Sequence, residues 1–262
     1  MPTIVREWLA SRPGLRVVSC RCDGADGGRP RVERTRGDAV WVVLRGRFAL
    51  RHARFRHVAD PTTAVFLRAG DAYEVSHPDG GDVCLALGGT LVGELVETGT
   101  GARPIGADAW SRVQIAAARL HAGEALAGLA LEEALAAAFP ADTSPPPAAR
   151  DRDVAGVVAH AVRLRFDERL PLSELADEAG VSMFHACRVF RRVTGQSIHQ
   201  FQLEVQLRHA LGLLLDGGAP LADIAASTGF ASQAHFTHRF RRRFGVTPGS
   251  VRAARTLRAI RA

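Results

Sequence analysis

Short apolar runs alternate with polar turns along the first hundred residues of the chain. Four of these runs are rich in Val, Leu and aromatic side chains: L-R-V-V-S-C-R-C (15–22), A-V-W-V-V-L-R-G-R-F-A-L (39–50), T-A-V-F-L (63–67) and D-V-C-L-A-L (82–87). Turn sequences such as D-G-A-D-G-G and P-D-G-G-D separate them. Apolar runs of this length bounded by Gly and Asp are typical of β-strands. The spacing predicts an antiparallel barrel or sandwich over residues of about 15–100.

The hydrophobic spacing becomes helical beyond Pro104. Residues of about 107–122 and 124–138 are rich in Ala and Leu, and Leu129 and Leu135 belong to an apolar series with helical intervals. Gly123 allows a break between two helices. We expect this region to be either a hairpin that packs within its own domain or a dimer interface.

A Pro-rich segment follows these helices. The sequence P-A-D-T-S-P-P-P-A-A-R-D-R-D contains three consecutive prolines, which stop a helix and favour a stiff extended chain. From Val154 onward the pattern is helical. The predicted fold class is α+β, with an N-terminal antiparallel β-barrel domain over 1–105, a helical segment over 106–142, a linker over 143–152 and an all-α domain over 153–262.

An internal repeat occupies the all-α domain. Seven residues of Leu172–Gly195 match seven of Leu221–Gly245, with an offset of 49 residues up to the first glycine and 50 afterwards. In each copy a short helical pattern ends at a glycine, Gly180 or Gly229, which adopts a left-handed conformation at low steric cost. The order helix, glycine turn, helix predicts a helix-turn-helix arrangement in both copies.

The second helix of each copy is predicted to bury one face and to offer the other to a major groove. A serine, Ser182 or Ser232, precedes this helix and is placed to cap its free amides. The residues predicted to be buried are Ala186, Val189, Phe190 and Val193 in the first copy and Phe236, Phe240 and Phe244 in the second. The residues predicted on the outer faces are Phe184, Cys187, Arg188, Arg191, Gln233, Ala234, Thr237, His238 and Arg241.

A single helix is predicted between the two copies, over Ser197–Leu215. A helix of this length spans roughly 28 Å, at about 1.5 Å per residue. This length approaches the roughly 34 Å between successive major-groove faces on one side of B-DNA. The helix would therefore hold both copies on adjacent turns of one duplex.

Positive charge is concentrated in the same region. The chain has a net charge of +7, and residues 151–262 carry 16 Arg against 10 acidic residues, whereas residues 1–150 carry 18 Arg against 17. This asymmetry indicates a polyanion-binding module joined to a nearly neutral domain. DNA binding without sequence preference is the alternative to sequence-specific binding. Charged residues interrupt the most apolar helical region, Ile115–Ala138, so we expect no membrane span and a cytoplasmic protein.

The segment D-I-A-x-x-x-G-F-x-S-x-x-x-F-x-x-x-F-R-x-x-x-G-V-T-P (223–248) resembles the signature of the AraC/XylS family of transcription regulators. The resemblance covers about residues 154–258. It implies a sequence-specific regulator, and no enzyme, with two helix-turn-helix units that bind double-stranded DNA. It also implies a homodimer formed by the helices after the N-terminal domain, and RNA polymerase as a further partner.

The resemblance assigns DNA-contacting residues by position. Base contacts are implied for Phe184, Cys187 and Arg188 in the first copy and for Gln233, Ala234, Thr237 and His238 in the second. The predicted DNA-binding set also includes neighbouring caps and basic residues, namely Ser182, His185, Arg191, Arg192, Ser232, Arg239 and Arg241. His238 stands where the family usually has Arg, and Ala186 replaces the usual Leu. Thr247 followed by Pro248 predicts the start of a last helix.

The N-terminal domain of this family is often a cupin-like barrel that senses a ligand. The segment F-L-R-A-G-D-A-Y-E-V-S-H (66–77) resembles the second cupin motif, with Gly70 and His77 in place. The first cupin motif would bring two His and a Glu before Gly46 as metal ligands, but residues 32–46 contain no histidine. We therefore predict a sensor of a small molecule or a metal. The alternative is a cupin-type metalloenzyme with an appended basic helical domain.

The four cysteines are too few and too scattered for a secreted disulfide scaffold. Cys20 and Cys22 lie two apart on a predicted strand and therefore point to one face, while Cys84 lies on another strand and His77 is expected at the same end of the barrel. Thiolates and an imidazole suit zinc or another thiophilic metal, or a redox switch. Buried packing thiols are the alternative.

Overall fold

The computed structural model describes residues 4–12, 14–22, 29–77, 81–97, 99–124, 127–139 and 148–253. The chain divides into two compact units, Met1–Thr143 and Ser144–Ala262. The first half of the predicted linker, residues 143–147, lies outside the described residues. Residues 149–152 of that predicted linker are already helical, because the first helix of the second unit begins at Ala149.

The N-terminal unit contains two antiparallel sheets. Its strands are β1 (Ile4–Arg12), β2 (Leu15–Cys22), β3 (Arg31–Arg34), β4 (Ala39–Arg45), β5 (Phe48–His52), β6 (Phe55–Ala59), β7 (Thr63–Leu67), β8 (Ala72–Ser76), β9 (Val83–Gly88) and β10 (Gly101–Pro104). One sheet has the order β1-β2-β9-β4-β7-β10 and the other has the order β3-β8-β5-β6. Among the described residues, the strands divide between these sheets and do not close the predicted barrel. The long apolar run 39–50 forms two strands, β4 and β5, with Gly46 at φ 71° between them.

The two sheets share an apolar core. Its buried members come from both sheets: Val43, Phe48, Leu50, Ala59, Val65, Leu67, Tyr73, Val75 and Cys84. The alternation of buried and exposed side chains along β2 shows which face of this strand packs against the interior of the unit. Leu15 and Val17 are fully buried, whereas Arg16 between them is exposed, because successive side chains of a strand point to opposite faces.

The described part of the N-terminal unit also contains three helices: α1 (Thr90–Glu97), α2 (Ala107–His121) and α3 (Ala127–Ala138). The predicted helices near 107–122 and 124–138 are confirmed, whereas α1 falls in a region predicted to contain only strands. Trp110 and Gln114 anchor α2 to β4 by donating hydrogen bonds to the carbonyl oxygens of Val43 (2.8 Å) and Leu44 (2.6 Å). These carbonyls lie at an irregularity in the β4–β9 pairing, between Val43 and Arg45, so the helix satisfies buried polar groups there.

The C-terminal unit consists of helices joined by short turns over its described length. Its helices are α4 (Ala149–Leu164), α5 (Leu172–Glu178), α6 (Met183–Thr194), α7 (Ile198–Asp216), α8 (Leu221–Ser227) and α9 (Gln233–Phe244). Two apolar clusters lie along α7. The first joins α4, α5 and α6 to the start of α7, and the second joins α8 and α9 to the end of α7. The long helix α7 is therefore the element that both clusters share.

None of the described helices combines the length and the hydropathy that a membrane crossing requires.

Candidate nucleic-acid interface

Repeat 1 (Leu172–Gly195) and repeat 2 (Leu221–Gly245) have the same backbone arrangement. Each consists of a seven-residue helix, a turn and a twelve-residue helix. The turn glycines have positive φ, 63° at Gly180 and 79° at Gly229, as predicted. At Gly229 there is a second reason for glycine, because a Cβ atom would lie 2.7 Å from the Cα atom of Asp167.

Both predicted serine caps are confirmed. The hydroxyl oxygen of Ser182 accepts a hydrogen bond from the backbone N–H of His185 at 3.3 Å. The hydroxyl oxygen of Ser232 accepts one from the backbone N–H of His235 at 3.1 Å. A cap at the same place in both repeats gives α6 and α9 the same starting point relative to their glycine turns.

The inner faces of α6 and α9 form cores, as predicted. Ala186, Val189, Phe190, Phe236 and Phe240 are buried, while Val193 and Phe244 are half-buried and pack against the same clusters. The buried Ala186 shows that the smaller residue is accommodated in the core of repeat 1. With the inner faces occupied, only the outer faces of α6 and α9 are available to a ligand.

The outer face of α9 forms one shallow depression with a volume of ≈ 600 Å³. It is lined by Gln233, Ala234, Thr237, His238, Arg241 and Thr247. The four residues predicted to contact bases in the second copy thus lie around a single concave surface. Thr247 was predicted only as a helix start, and its hydroxyl oxygen does accept a hydrogen bond from the N–H of Ser250 at 3.1 Å. Its contribution to the depression depends on tertiary structure and could not be seen in the sequence.

The outer face of α6 has a different character. Phe184 is 83% exposed in the first turn, and Arg188 and Arg191 are exposed further along the helix. The guanidinium of Arg188 lies 3.2 Å from Nδ1 of His185. Cys187 is half-buried and packs against the apolar cluster, so it lies at the border between the outer face and the core. Its contact with bases stays a prediction.

Two other predicted DNA-binding arginines have partners within the protein. Arg192 contacts the Asp151 carboxylate of α4 at 2.7 Å, and Nε of Arg239 lies 3.2 Å from Nε2 of His235. The last turns of α6 and α9 are rich in Arg, which also favours the negative end of each helix dipole. Part of the basic character of both helices therefore has a structural explanation.

The predicted linker helix is confirmed as α7, which has 19 residues. Its first turn is held by a capping box in which Ser197 and Gln200 satisfy each other's backbone amides. Glu204 accepts hydrogen bonds from Arg208 of the same helix at 2.7 Å and from Arg243 of α9 at 2.9 Å. This carboxylate ties repeat 2 to the middle of the linker helix.

In the N-terminal unit, the structure divides the four predicted metal-ligating residues into two groups. Cys20 of β2 pairs with Cys84 of β9 across the sheet, whereas Cys22 lies near His77 and Asp82. The hydrogen bond from Cys84, together with the guanidinium of Arg6, lowers the pKa of Cys20 to about 7 despite partial burial. The same hydrogen bond, with burial, raises the pKa of the Cys84 thiol well above its usual range. The pair is therefore one acidic thiol beside one that stays protonated.

Cys20 also lines a cavity of ≈ 600 Å³ in the N-terminal unit. Its walls include Trp8, Trp41 and Tyr73 together with the charged side chains of Arg6 and Glu33. The hydroxyl of Tyr73 donates a hydrogen bond to Glu33 at 2.9 Å, and burial together with this carboxylate raises the pKa of Tyr73. The cavity thus offers aromatic walls and both signs of charge.

Comparison with known proteins places the second unit in a family. Residues 175–254 match the family model described as a helix-turn-helix domain. The regulator GlxA of Rhizobium meliloti is 42% identical over 83 residues, which are 32% of this chain and 26% of GlxA. The probable transcription factor PqrA of Proteus vulgaris is 30% identical over 95 residues, which are 36% of this chain and 78% of PqrA. A solved AraC-type regulator from Chromobacterium violaceum is 27% identical, with 41% of this chain and 96% of that one aligned and a TM-score of 0.39.

The family-model match, residues 175–254, lies on the duplicated region, where the glycine turns, serine caps and paired apolar clusters have been described. The chain belongs to the AraC/XylS family of transcription regulators. It spans only about a quarter of the length of GlxA. The family model matches 80 residues, all in the C-terminal part of this chain.

Proposed function

We propose that the protein is a sequence-specific transcription regulator that binds double-stranded DNA through repeats 1 and 2, each a helix-turn-helix unit. The observation that supports this most strongly is the outer face of α9, where Gln233, Thr237, His238 and Arg241 surround one exposed depression. Hydrogen-bonding side chains that converge on one face of a capped helix suit the edges of bases in a major groove. Family membership supports the same function.

The arrangement of repeats 1 and 2 on α7 suits two successive grooves. Nineteen residues of helix span roughly 28 Å, and successive major-groove faces are about 34 Å apart. Each repeat packs on a different part of α7 through its own apolar cluster. We propose that α7 keeps the two outer faces at a fixed separation on one duplex.

Some exposed arginines are placed to contact phosphates, while other side chains are placed to contact bases. Arg191, Arg241 and Arg242 are exposed near the ends of α6 and α9, and cations in these places suit phosphates on either side of the groove. Arg188 lies nearer the start of α6, where bidentate contact with guanine is available to an Arg side chain. Phosphate contacts position the protein, whereas base contacts select the sequence.

A binding-site selection from random DNA tests the proposal. The selected duplex and an unrelated duplex of equal length are then compared in competition assays at one stated salt concentration. Sequence-specific regulators bind their sites about 10³- to 10⁷-fold more tightly than other DNA. Equal affinity for the two duplexes at every salt concentration would show binding without sequence preference, and no binding to either would remove DNA as the ligand.

We propose that the N-terminal unit is a cupin-like sensor domain over 1–105, followed by a dimerisation segment (106–142), a linker (143–152) and the DNA-binding domain (153–262). The cavity beside Cys20 supports a sensing role because it is large enough for a small-molecule effector. The alternative of a metalloenzyme draws no support from GlxA and PqrA, which are a regulator and a probable transcription factor by name.

We also propose that the protein is a cytoplasmic homodimer that acts with RNA polymerase. The dimer proposal is supported by Ile115 of α2 and Leu129 of α3, which are 59% and 44% exposed. Large apolar side chains left exposed on neighbouring helices suit a second copy of the same surface. Sedimentation of the full chain over a range of concentrations measures the oligomeric state.

A further inference from the structure

A compact group of three different metal-ligating side chains lies in the N-terminal unit. Cys22 ends β2, His77 follows β8 and Asp82 precedes β9. One ligand atom from each residue lies within 4.8 Å of the other two. All three residues are buried, with exposures of 2%, 8% and 2%. We propose that Cys22, His77 and Asp82 bind one zinc ion.

The chemistry of the three donors selects zinc among common divalent ions. A thiolate sulfur, an imidazole nitrogen and a carboxylate oxygen all occur as zinc ligands, at about 2.3, 2.0–2.1 and 2.0–2.2 Å. Magnesium and calcium prefer oxygen ligands, so a thiolate in the ligand set disfavours both ions. Three protein ligands leave one tetrahedral position of zinc for water or another ligand.

The spacing requires only small movements. Ligand atoms around tetrahedral zinc lie about 3.3–3.7 Å apart at the usual bond lengths. The present spread of up to 4.8 Å is close to this range. Nδ1 of His77 and a carboxylate oxygen of Asp82 are 2.6 Å apart, so this contact has to open slightly when a metal enters.

Charge balance also favours a doubly charged metal in this buried place. A thiolate on Cys22 and a carboxylate on Asp82 carry two negative charges, and a neutral His77 adds none. One Zn²⁺ ion balances the two negative charges of these two ligands. Binding would release the proton held by the Cys22 thiol.

The backbone holds two of the ligands in place before a metal binds. The N–H of Cys22 donates a hydrogen bond to the carbonyl oxygen of Asp82 at 3.0 Å. The turn between β4 and β5 lies close to the backbone of Asp82. A Cβ atom on Gly46, in this turn, would lie 2.8 Å from the Cα atom of Asp82. Gly46 has a positive φ of 71°, so this close approach is specific to glycine.

This ligand set differs from the predicted one. Cys20 and Cys84 pair with each other across β2 and β9, and Asp82, which was not among the candidates, joins Cys22 and His77. A role of this zinc ion as an effector rests on the proposed function, because only a regulator has an effector. The binding of zinc itself does not depend on DNA.

Zinc titration of the full chain against a chromophoric chelator, without DNA, tests the site. The expected result is one zinc ion per chain, and a thiolate-to-cobalt charge-transfer band when cobalt replaces zinc. Loss of a residue that only hydrogen-bonds to a metal ligand lowers metal affinity by about 10- to 100-fold. Cys22→Ser, which removes a direct ligand, is therefore expected to weaken binding by at least that factor and to abolish the band.

Cys20→Ser and Cys84→Ser are the matched controls, and both should keep the affinity and the band. Asp82→Asn should weaken zinc binding while the band from Cys22 remains, which gives a second test if Cys22→Ser does not fold. Wild-type protein that takes no stoichiometric zinc from the chelator would overturn the site. Loss of binding in Cys20→Ser or Cys84→Ser equal to that in Cys22→Ser would overturn the ligand assignment. Neither result bears on DNA binding, which the selection assay measures separately.

Discussion

Repeats 1 and 2 share a backbone and differ in the surfaces that they expose. Their helices have equal lengths, their turns use a left-handed glycine, and both second helices begin at a capping serine. Repeat 2 presents polar side chains around a concave surface. Repeat 1 presents Phe184, 83% exposed, with Arg188 behind it.

Under the proposed function, this difference means that one scaffold would recognise DNA in two ways. Thr237, His238 and Gln233 carry hydrogen-bonding groups of the kind that contact base edges, whereas an exposed phenylalanine suits the methyl group of thymine. The duplicated features, glycine turn and capping serine, orient the helices and carry no sequence information of their own. We expect that repeat 2 selects its bases by hydrogen bonds and that repeat 1 relies on Phe184 and Arg188.

The largest expected effects come from the cores, where the two repeats also differ. Phe240 packs against Phe236 and Phe244 with ring centroids 5.5 and 4.6 Å away. Among the described residues, Phe190 has one aromatic neighbour, Phe201, at 5.4 Å. Truncation of a buried Phe to Ala costs about 3–5 kcal/mol, and aromatic pairs add about 0.5–1.5 kcal/mol each. Urea denaturation should show Phe240→Ala at the upper end and Phe190→Ala lower. The reverse order would contradict the difference in packing.

The turn glycines provide a matched pair with a smaller effect. Both have positive φ, which costs an L-residue about 1–2 kcal/mol. A Cβ atom on Gly180 meets no neighbouring atom within 4 Å, whereas one on Gly229 would meet the backbone of Asp167 at 2.7 Å. Thermal unfolding should therefore show a larger loss of stability for Gly229→Ala than for Gly180→Ala. Equal losses would mean that the close approach at Gly229 relaxes without cost.

Substitution of two arginines of repeat 1 distinguishes an arginine proposed to contact bases from one that is paired with a carboxylate of the protein. Arg188→Ala should cost about 1–3 kcal/mol of binding free energy on the selected site and much less on unrelated DNA. Arg192 is held by Asp151 of α4 at 2.7 Å, so Arg192→Ala should weaken binding to both duplexes by a similar, smaller amount. Fluorescence anisotropy at one salt concentration measures both. An equal loss of binding free energy on the two duplexes for Arg188→Ala would show that Arg188 contacts only phosphate.

The smallest expected effects test what the repeats share. Replacing a capping serine by alanine costs typically about 1 kcal/mol. The cap distances are 3.3 Å at Ser182 and 3.1 Å at Ser232, so Ser182→Ala and Ser232→Ala should destabilise the protein to similar extents. Chemical denaturation of the two variants measures this directly. A large difference would show that the two helix starts are not equivalent.

The C-terminal unit was largely predictable because its signals are local. Gly180, Gly229, Ser182 and Ser232 act on residues within one or two turns, and the duplication reinforced each assignment. The half-burial of Cys187 could not be predicted, because a helical position at the edge of the apolar face belongs to the core or the surface according to its neighbours. Thr247 reaches the depression beside α9 only through the turn after repeat 2.

The N-terminal unit was predicted less completely because its features depend on distant strands. Strands β2 and β7 follow clear apolar runs, but α1 is a short apolar stretch that resembles another strand. Asp82 follows two glycines in P-D-G-G-D and has the appearance of a turn residue, although it is 2% exposed. The separation of Cys22 from Cys20 and Cys84 required the pairing of β2 with β9, which spacing alone cannot supply.

The most direct test of the central claim is chemical footprinting of the full protein on its selected site. The proposed pair of helix-turn-helix units on α7 predicts protected guanines in two successive major grooves on one face, about 10–10.5 bp apart. Arg188→Ala should weaken protection in one of these grooves and leave the other. Protection confined to one groove, or divided between opposite faces of the duplex, would contradict the account.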